Sequence, residues 1–403
     1  MSTTVVSEPW TTTRLGWLFQ PVSDRGHEDA MVLSVYRDHG VIPKDSRTDN
    51  FNRTPENLSN YQLVHPGDLV VNRMKAWQGS LGISEYQGIV SPDYEVLRPT
   101  VSEYDHRFLH RLLRSRALID QYALRSTGIR PSQWRLYWDE MKTIEISLPA
   151  VEQQRTIADY LDRETARIDT LIEEQQRLIE MLRERRKALI DESFSTFGEP
   201  SVQLRRYIEF LTSGSRGWGD YYADQGERFL RIGNLPRANL EIRGDIQFVE
   251  LPADVTEGSR TMLQEGDLLF SITAYLGSVA VVEGDWVGAY VSQHVALCRL
   301  ERDWVDPRFI GWFMLTTTGQ NQLNEGAAGG TKMQLALDDI RGLRVPTAPI
   351  EQQRRIAAHL NRQTAKIDAL VAESERFIEY ARERRTALIT AAVTGQIDVR
   401  EAA

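Results

Sequence analysis

One charged segment of 39 residues occurs twice in this chain of 403 residues. The first copy, EQQRTIADYLDRETARIDTLIEEQQRLIEMLRERRKALI, spans 152–190, and the second, EQQRRIAAHLNRQTAKIDALVAESERFIEYARERRTALI, spans 351–389. The copies are identical at 24 of 39 positions, and every residue lies 199 positions from its twin. A period this long does not fit a solenoid, so the repeat indicates a duplicated half-protein.

The similarity continues outside the repeated segment. PGDLVV at Pro66 is matched by EGDLLF at Glu265, and TGIRPSQW at Thr127 resembles AGGTKMQL at Ala328. The chain therefore reads as lobe, long helix, lobe, long helix. We predict the two lobes at 1–148 and 196–347, the two long helices at 149–195 and 348–395, and a tail at 396–403.

Both copies of the segment have the composition of a long helix, because Glu, Gln, Arg, Ala and Leu dominate and neither copy contains Gly or Pro. Their apolar residues follow a heptad, which is typical of a coiled coil. We expect the helices to pair antiparallel and to relate the halves by an approximate two-fold axis. The alternative is that each helix packs only on its own lobe. The predicted seam has two rows. The first row contains Leu161, Ile168 and Leu182 in the first helix, and Leu360, Ile367 and Leu388 in the second. The second row contains Ile157, Leu171 and Leu178 in the first helix, and Ile356, Leu370 and Phe377 in the second.

Each lobe reads as a mixture of short strands and short helices. Segments such as GDLVVNRM and GDLLFSIT begin with a Gly-Asp turn and continue as a buried strand. The predicted fold class is therefore α+β: two mixed α/β domains separated by two long antiparallel helices that form a coiled coil.

Composition excludes several classes of protein. Cys298 is the single cysteine, which rules out an intrachain disulfide and a multi-cysteine zinc site and suits a reducing cytoplasm. The sequence has no run of 18 apolar residues, so it predicts no membrane span. Its first residues do not resemble a secretion signal. The net charge of −9 means that any nucleic-acid surface must be a local patch.

The sequence contains no recognisable active site. The seven histidines are scattered without metal-ligand spacing. Asp93, Glu140 and Lys142 have the residue types of a metal-dependent nuclease, which leaves that class open as a minor alternative. Their spacing is wide, and the segment DDIRGL in the second half does not repeat Glu140 and Lys142.

Arg107, Arg111 and Arg114 are candidate DNA contacts, because their spacing places them on one face of a predicted helix. A basic stripe of this kind can neutralise phosphates. The alternative is an ordinary solvated helix face, since the equivalent helix in the second half keeps only the first of the three arginines, as Arg308.

Loops in both halves combine glycine with cationic and amide side chains. Glycine allows close approach of the backbone to a ligand, and Arg, Lys and Gln recognise base edges. The alternative is that these loops are plain structural turns. The candidate DNA-binding residues of the loops are Arg73, Lys75, Trp77, Gln78, Arg130 and Gln133 in the first half, and Thr273, Tyr275, Lys332 and Gln334 in the second.

The helix starts and ends resemble those of the specificity subunits of type I restriction–modification enzymes, the HsdS family. The motif P-x-x-EQQR-I-A-x-x-L follows Pro149, and it recurs with one residue fewer after Pro349. Both helices end in ERR-x-ALI, and AAVTGQIDV closes the second. The resemblance covers nearly the whole chain. One departure is the exit of the first helix, DESFSTFGEPSVQL, which does not match that of the second.

The resemblance implies a non-catalytic chain in the cytoplasm. Each lobe would read one half of a bipartite double-stranded DNA target, and the helices would set the gap. Two modification (methyltransferase) subunits would dock on the helices, whose outer charged face includes the Glu-Arg-Arg runs at 184–186 and 383–385. Two restriction/motor subunits would join if present, and S-adenosylmethionine, ATP and Mg²⁺ would bind to partner subunits. The alternative function is a coiled-coil scaffold whose lobes bind other proteins.

Overall fold

The computed structural model describes residues 10–47, 54–130, 133–252, 258–325 and 334–400. The chain divides into two compact units. Unit 1 consists of Met1–Glu174 with Phe377–Ala403, and unit 2 consists of Gln175–Arg376. Each unit therefore contains one lobe together with part of each long helix.

Unit 1 contains short strands and helices in mixed order, as the sequence predicts. Its elements are β1 (Thr11–Arg14), α1 (Leu15–Leu18), β2 (Phe19–Val22), β3 (Leu33–Tyr36), β4 (Gly40–Pro43), β5 (Gln62–Val64), β6 (Leu69–Asn72), β7 (Leu81–Ile83), β8 (Gly88–Val90), β9 (Tyr94–Pro99), α2 (His106–Leu113), α3 (Arg116–Arg125), α4 (Trp138–Met141) and β10 (Glu145–Leu148). The long helix α5 (Val151–Ser195) follows, and it belongs to unit 1 as far as Glu174.

The largest sheet of unit 1 is antiparallel, with the strand order β2-β9-β6-β7. Strand β6 is buried at all four positions, so both faces of the sheet are covered. Leu69 and Val71 belong to a core that includes Phe108 of α2 and Leu161 of α5. Val70 points to the other face, into a cluster formed with β3 and β4. The lobe thus shares its main core with the start of the long helix.

Unit 2 repeats this plan. Its elements are β11 (Val202–Gln203), β12 (Ile208–Ser213), β13 (Tyr222–Ala223), β14 (Glu227–Leu230), β15 (Gln247–Val249), α6 (Gly258–Thr261), β16 (Leu268–Ser271), β17 (Val279–Val281), β18 (Tyr290–Val291), β19 (Val295–Leu300), α7 (Pro307–Met314), α8 (Thr317–Glu325), α9 (Leu337–Gly342) and β20 (Arg344–Val345). The long helix α10 (Ile350–Val393) belongs to unit 2 as far as Arg376.

The main sheet of unit 2 has the order β12-β19-β16-β17, which repeats that of unit 1 strand for strand. The outer strands differ. Unit 2 has a second four-stranded sheet, β13-β15-β14-β18, whereas unit 1 has the two-stranded pairs β3-β4 and β5-β8. The duplication predicted from the sequence is therefore present in the shared sheet, and the two units differ around it.

A buried ion pair explains the Gly-Asp turn that both halves contain. Asp68 is 1% exposed and lies 3.1 Å from Nη2 of Arg98. In unit 2, Asp267 is also 1% exposed and lies 2.8 Å from Nη2 of Arg299. Each carboxylate also accepts the backbone N–H three residues before it. The aspartate therefore joins the turn to the neighbouring strand in both units, with its buried charge fully paired.

In unit 1, the start of α5 packs against the end of α10. Leu161 and Val393 lie in the same core cluster. Further along α5, Asp169 accepts a hydrogen bond of 3.2 Å from Arg385. Later residues of α5 contact earlier residues of α10, so the two helices pair antiparallel in this unit.

In unit 2, the end of α5 packs against the start of α10. Ile190 and Leu360 share the core of this unit. Arg183 lies 3.1 Å from Glu375, so residue numbers again run in opposite directions. The predicted antiparallel pairing of the long helices is confirmed in both units, and the alternative of two separately packed helices is wrong.

One of the two predicted heptad rows lies in the helix seam. Leu161, Ile168 and Leu182 are buried in α5, and Leu360 and Ile367 are buried in α10. Leu388, in the same row, is partly buried against the core of unit 1. These six residues are thus buried or partly buried in the paired helices.

The second row is displaced by one residue from the predicted one. Leu171, Leu178, Leu370 and Phe377 are between 37% and 50% exposed, so their assignment to the seam was wrong. Ile157 and Ile356 pack into the cores of units 1 and 2, near the helix starts. The residues buried in place of the predicted row are Ala158, Thr165, Ile172, Ile179 and Arg186 in α5, and Ala357, Thr364 and Ile378 in α10.

The displacement has a physical cause. The predicted second row and the row that is buried both lie three or four residues from members of the Leu161 row, so heptad spacing fits either of them. The predicted row contains more leucines, and hydrophobicity alone therefore favours it. The structure buries the other row because its polar groups find partners. The hydroxyls of Thr165 and Thr364 each donate to a backbone carbonyl of their own helix at 2.7 Å. Arg186 donates to Asp368 at 2.9 Å, so it does not lie on the outer charged face predicted for it.

Candidate nucleic-acid interface

The loop after β6 carries four of the predicted DNA-binding residues in unit 1. Gly79 ends a short turn with a φ of +88°, and a Cβ there would lie 2.8 Å from the side chain of Ile119, so glycine is required. Lys75 and Gln78 are exposed on this loop. Their side chains are therefore available to a ligand.

Arg73 and Trp77 of the same loop are engaged within unit 1. Arg73 donates to the carbonyl oxygens of Asp93 at 3.0 Å and Pro92 at 2.7 Å. It also lies 3.6 Å from Glu95. The indole N–H of Trp77 donates to the carbonyl of a neighbouring loop residue at 3.0 Å. These two side chains shape the loop, and direct base contacts by them would require these bonds to break.

The second predicted loop of unit 1 lies beside the first. The rings of Trp77 and Trp134 meet edge to face at 5.5 Å between centroids. The backbone N–H of Leu136 donates to the carbonyl of Arg73 at 2.9 Å. Arg130 and Gln133 are exposed between these contacts. Unit 1 thus brings the two predicted loops together, although the sequence separates them by about fifty residues.

A groove of about 790 Å³ borders the first loop. Lys75 and Gln78 line it together with residues of the β3-β4 hairpin. The guanidinium of Arg47 lies 5.4 Å from the centroid of the Tyr36 ring. Sequence reasoning missed this part of the surface, and the available signal was the pair of cations Lys44 and Arg47 that follows β4. The lining residues not predicted as ligand contacts include Tyr36, Arg37, His39, Lys44, Arg47 and Tyr94.

Arg107 and Arg111 of the predicted stripe are not free to bind phosphates. Arg107 lies 2.8 Å from Asp159 and 2.7 Å from Asp162, both on α5. Arg111 also pairs with Asp162. Burial raises the pKa of Asp162, but the two guanidinium groups outweigh it and hold this pKa below its usual range. The stripe therefore attaches α2 to the long helix, which corrects the prediction of a phosphate-binding face.

Arg114, the third residue of the stripe, is turned inward. Its Nη1 lies 2.8 Å from Nε2 of His110, and its Nη2 donates to the carbonyl of Arg37 in the β3-β4 turn. Burial lowers the pKa of His110 to about 4, and the charge of Arg114 adds to this effect. The two side chains support the hairpin that borders the groove.

The equivalent helix of unit 2 is attached with different chemistry. The indole N–H of Trp312 in α7 donates to Asn361 of α10 at 2.7 Å. These positions are the twins of Arg111 and Asp162 in the duplicated sequence. The sequence could not show this equivalence, because an ion pair and a tryptophan–asparagine contact share no pattern.

The glutamine of the EQQR motif has a role that the sequence analysis missed. Gln154 is 2% exposed and accepts the N–H of Asp105 at 2.9 Å, while its amide donates to the carbonyl of Pro149. In unit 2, Gln353 accepts the N–H of Asp306 at 2.9 Å. Both aspartates are the N-caps of the lobe helices α2 and α7. The motif therefore locks the start of each long helix to the lobe of its own unit.

In unit 2, the predicted residues lie around the loop between β16 and β17. Thr273 contacts Nδ1 of His294 at 3.1 Å. Tyr275 is 55% exposed. The N–H of Leu335 donates to the carbonyl of Ile272 at 3.0 Å, which places the exposed Gln334 beside this loop. Lys332 lies outside the described residues.

Within the described ranges, no group of three or more His, Cys, Asp or Glu side chains could hold a metal ion. No helix in the described part of the chain has both the length and the apolar character that a membrane span requires.

Residues 245–377 match the family model of the type I restriction modification DNA specificity domain. This span includes the loop with Thr273 and Tyr275 and the first part of α10. The matched domain thus contains the candidate interface of unit 2.

Curated relatives match nearly the whole chain at low identity. The specificity subunit of the type I restriction enzyme EcoKI from Escherichia coli strain K12 is 22% identical, over 95% of this chain and 89% of the relative. The EcoBI specificity subunit from Escherichia coli is 19% identical, over 95% and 83%. The putative MjaX specificity subunit from Methanocaldococcus jannaschii is 21% identical, over 86% and 81%.

Solved structures show the same fold. A chain from a study of complex assembly and conformational transition of the type I R-M system superposes with a TM-score of 0.71 and 17% identity, covering 96% of this chain and 98% of its own. The HsdS subunit from Thermoanaerobacter tengcongensis gives a TM-score of 0.59 and 17% identity, covering 96% and 97%. The resemblance predicted from the paired helix starts is therefore confirmed: the chain contains the type I restriction modification DNA specificity domain at 245–377 and is similar to type I specificity subunits over nearly its whole length, which indicates a function in DNA sequence recognition.

Proposed function

We propose that each unit reads one half of a bipartite DNA target. The observation that carries this proposal is the duplicated sheet, in which the loop after β6 and the loop after β16 have the same place and different side chains. One scaffold with two sets of contact residues suits two different half-sites. In unit 1 the reading residues are Lys75, Gln78, Arg130 and Gln133, and in unit 2 they are Thr273, Tyr275 and Gln334.

The long helices serve as the spacer between the two readings. A helix of 45 residues such as α5 is about 68 Å long at 1.5 Å per residue. One turn of duplex DNA measures about 34–36 Å. The glutamine locks join each helix start to the lobe of its own unit, and in this proposal the helices set the length of the gap between the half-sites.

The outer surface of the long helices is the docking site for two modification subunits. Leucine and aromatic side chains on this surface are exposed, and exposed apolar residues in a row mark contact surfaces of proteins. They are also the residues that the seam does not use. The proposed docking residues are Leu171, Leu178, Met181, Leu370, Phe377 and Tyr380.

The chain performs no catalysis of its own in this proposal. Methyl transfer belongs to the modification subunits, which bind S-adenosylmethionine. Cleavage and translocation belong to restriction or motor subunits where these are present, and those subunits use ATP and Mg²⁺. The complex acts in the cytoplasm, where its DNA target lies.

The test is a map of methylated adenines in cells that express the modification subunits with and without this chain. We expect a bipartite motif only when the chain is present. Replacement of residues 1–148 by the same lobe of a relative should change one half of the motif and leave the other half and the gap unchanged. A motif that changes in both halves, or that does not depend on the chain, contradicts the proposal.

The docking surface is tested separately with the purified chain. Leu178→Lys combined with Phe377→Lys should reduce capture of the modification subunit at least tenfold, because each change places a charge in an apolar contact. The matched control is Glu180→Lys, which changes an already charged and exposed position of the same helix. Equal capture by all three proteins would place the docking surface elsewhere.

A further inference from the structure

Tyr275 has an unusual backbone conformation. Among the described residues, it is the non-glycine residue with a positive φ, at 65°. This left-handed region is unfavourable for a bulky side chain, and residues held there often serve a function. Tyr275 lies in the loop between β16 and β17, at the candidate interface of unit 2.

Hydrogen bonds to the Tyr275 backbone hold this conformation. The hydroxyl of Ser271 donates to the Tyr275 carbonyl at 2.7 Å, and the N–H of Ser278 donates to it at 3.3 Å. Two residues after Tyr275, the carbonyl of Gly277 accepts the amide of Gln320 at 2.9 Å. These bonds fix the loop backbone at Tyr275, although the Tyr275 ring does not pack into the core of unit 2.

The Tyr275 ring points away from the core and is covered by a cation. It is 55% exposed, and the guanidinium of Arg237 lies 4.6 Å from its centroid. Arg237 is itself exposed, and within the described ranges it pairs with no carboxylate. A tyrosine ring paired with an uncompensated guanidinium offers both a flat apolar surface and a positive charge.

Groups that can recognise base edges lie near this pair. His294 contacts the hydroxyl of Thr273 at 3.1 Å and the amide of Gln293 at 3.1 Å. Hydroxyl, amide and imidazole groups are all able to donate or accept hydrogen bonds at base edges. Neither Gln293 nor His294 stands out in the sequence, and only the fold places them beside the loop.

Unit 1 offers an internal comparison. Trp77 has the same position relative to its Gly-Ser pair as Tyr275, two residues before the glycine. Its ring packs on Trp134 and its N–H is bonded within the loop. The aromatic residue of unit 1 therefore supports its loop, whereas that of unit 2 is presented to the outside.

We propose that Tyr275 and Arg237 form a DNA contact that determines recognition of the half-site read by unit 2. The ring packs on the sugar and base edges of the duplex, Arg237 pairs with the neighbouring phosphate, and Thr273, Gln293 and His294 face the adjacent base edges. This inference rests on the proposed function, since it names contact residues for that DNA target.

The test uses the chain assembled with its modification subunits and a duplex that carries the mapped methylation motif. Tyr275→Gly and Tyr275→Asn remove the ring and accept a positive φ, so both should fold and keep the thermal unfolding midpoint of the parent. We expect each to bind the duplex about tenfold more weakly, because the apolar contact of the ring with sugar and base edges is lost. The Arg237→Ala complex should bind the duplex more weakly. The slope of its log affinity against log salt concentration should be smaller by about one, as for the loss of one phosphate contact.

Two controls define the outcome. Trp304→Ala removes an exposed aromatic ring of unit 2 outside this loop, and it should leave binding unchanged. Base changes in the half-site of unit 2 should cost less affinity in Tyr275→Gly than in the parent, and changes in the other half-site should cost the same. Unchanged binding by both Tyr275 variants overturns this inference and leaves the proposed function intact. A parent complex that methylates no bipartite motif overturns both.

Discussion

Arg186 in α5 and Asp368 in α10 form an ion pair inside unit 2, with Nε and Oδ1 2.9 Å apart. The Arg186 side chain is 8% exposed, and its guanidinium lies 5.7 Å from the centroid of the Trp312 ring. The twins of these residues, Arg385 and Asp169, pair in unit 1 with side chains 39% and 48% exposed. The same charge pair therefore occurs in a buried and in a solvated form.

The difference in burial predicts different effects of the same mutation. Arg186→Ala should lower the free energy of unfolding by about 2 kcal/mol, because it removes a buried guanidinium that pairs with the partly exposed Asp368 and packs on Trp312. Arg385→Ala is the matched control and should cost less than about 1 kcal/mol, as for a solvated pair. Urea unfolding of the full-length chain measures both. Equal losses would show that burial does not govern the strength of these pairs.

The displaced seam predicts opposite behaviour of two adjacent residues. Ile172 is 9% exposed and Leu171 is 39% exposed. Ile172→Ala should destabilise unit 1 by about 2–4 kcal/mol through a cavity in the seam, and Leu171→Ala by less than about 1 kcal/mol. Thermal unfolding of both variants checks this. A larger loss of stability for Leu171→Ala than for Ile172→Ala would mean that the row predicted from the sequence forms the seam.

The glutamine lock predicts a sharp contrast inside one motif. Gln154→Ala should lower the free energy of unfolding by about 2 kcal/mol, because it leaves two buried groups, the N–H of Asp105 and the carbonyl of Pro149, without their hydrogen-bond partner. Gln153→Ala changes the preceding, partly exposed glutamine and should have little effect. Hydrogen exchange at the Asp105 amide is the direct measurement. Unaltered protection in Gln154→Ala would contradict the lock.

His110 predicts acid sensitivity of unit 1. Burial lowers its pKa to about 4 in the folded state, against about 6.5 in an unfolded chain. Between these values the unfolded state binds the proton more readily, so stability falls as the pH drops from about 6.5 towards 4. At pH 5 this residue alone should cost about 2 kcal/mol relative to pH 7. His110→Gln should show a smaller loss of stability over this range in urea unfolding, and an identical loss would exclude His110 as the cause.

The burial of Cys298 predicts that its thiol is unreactive in the native protein. It is fully buried in β19, and burial, together with the charge of Asp267, raises its pKa to about 12. Since the thiolate is the reactive form, a thiol reagent should label native protein very slowly. Because this is the single cysteine, labelling during urea titration reports only the opening of unit 2. Rapid labelling without urea would mean that the β16-β19 region opens readily.

The sequence alone determined the duplication and the two long helices. These features follow from local composition and from spacing along the chain, which need no knowledge of distant contacts. The helices begin at Val151 and Ile350, close to the prolines that predict their starts. The Gly-Asp strands depend on local chemistry in the same way.

The tertiary structure decided what each polar residue does. Heptad spacing allowed two rows, and only the partners of Thr165 and Arg186 selected the buried one. The stripe of Arg107 and Arg111 looked basic because its carboxylate partner, Asp162, lies about fifty residues away in the chain. The pairing of Tyr275 with Arg237 likewise joins distant segments. Charge and hydrogen bonding depend on neighbours in space, whereas helix formation depends on neighbours in sequence, and this is why the sequence predicts the helices and the fold alone assigns the contacts.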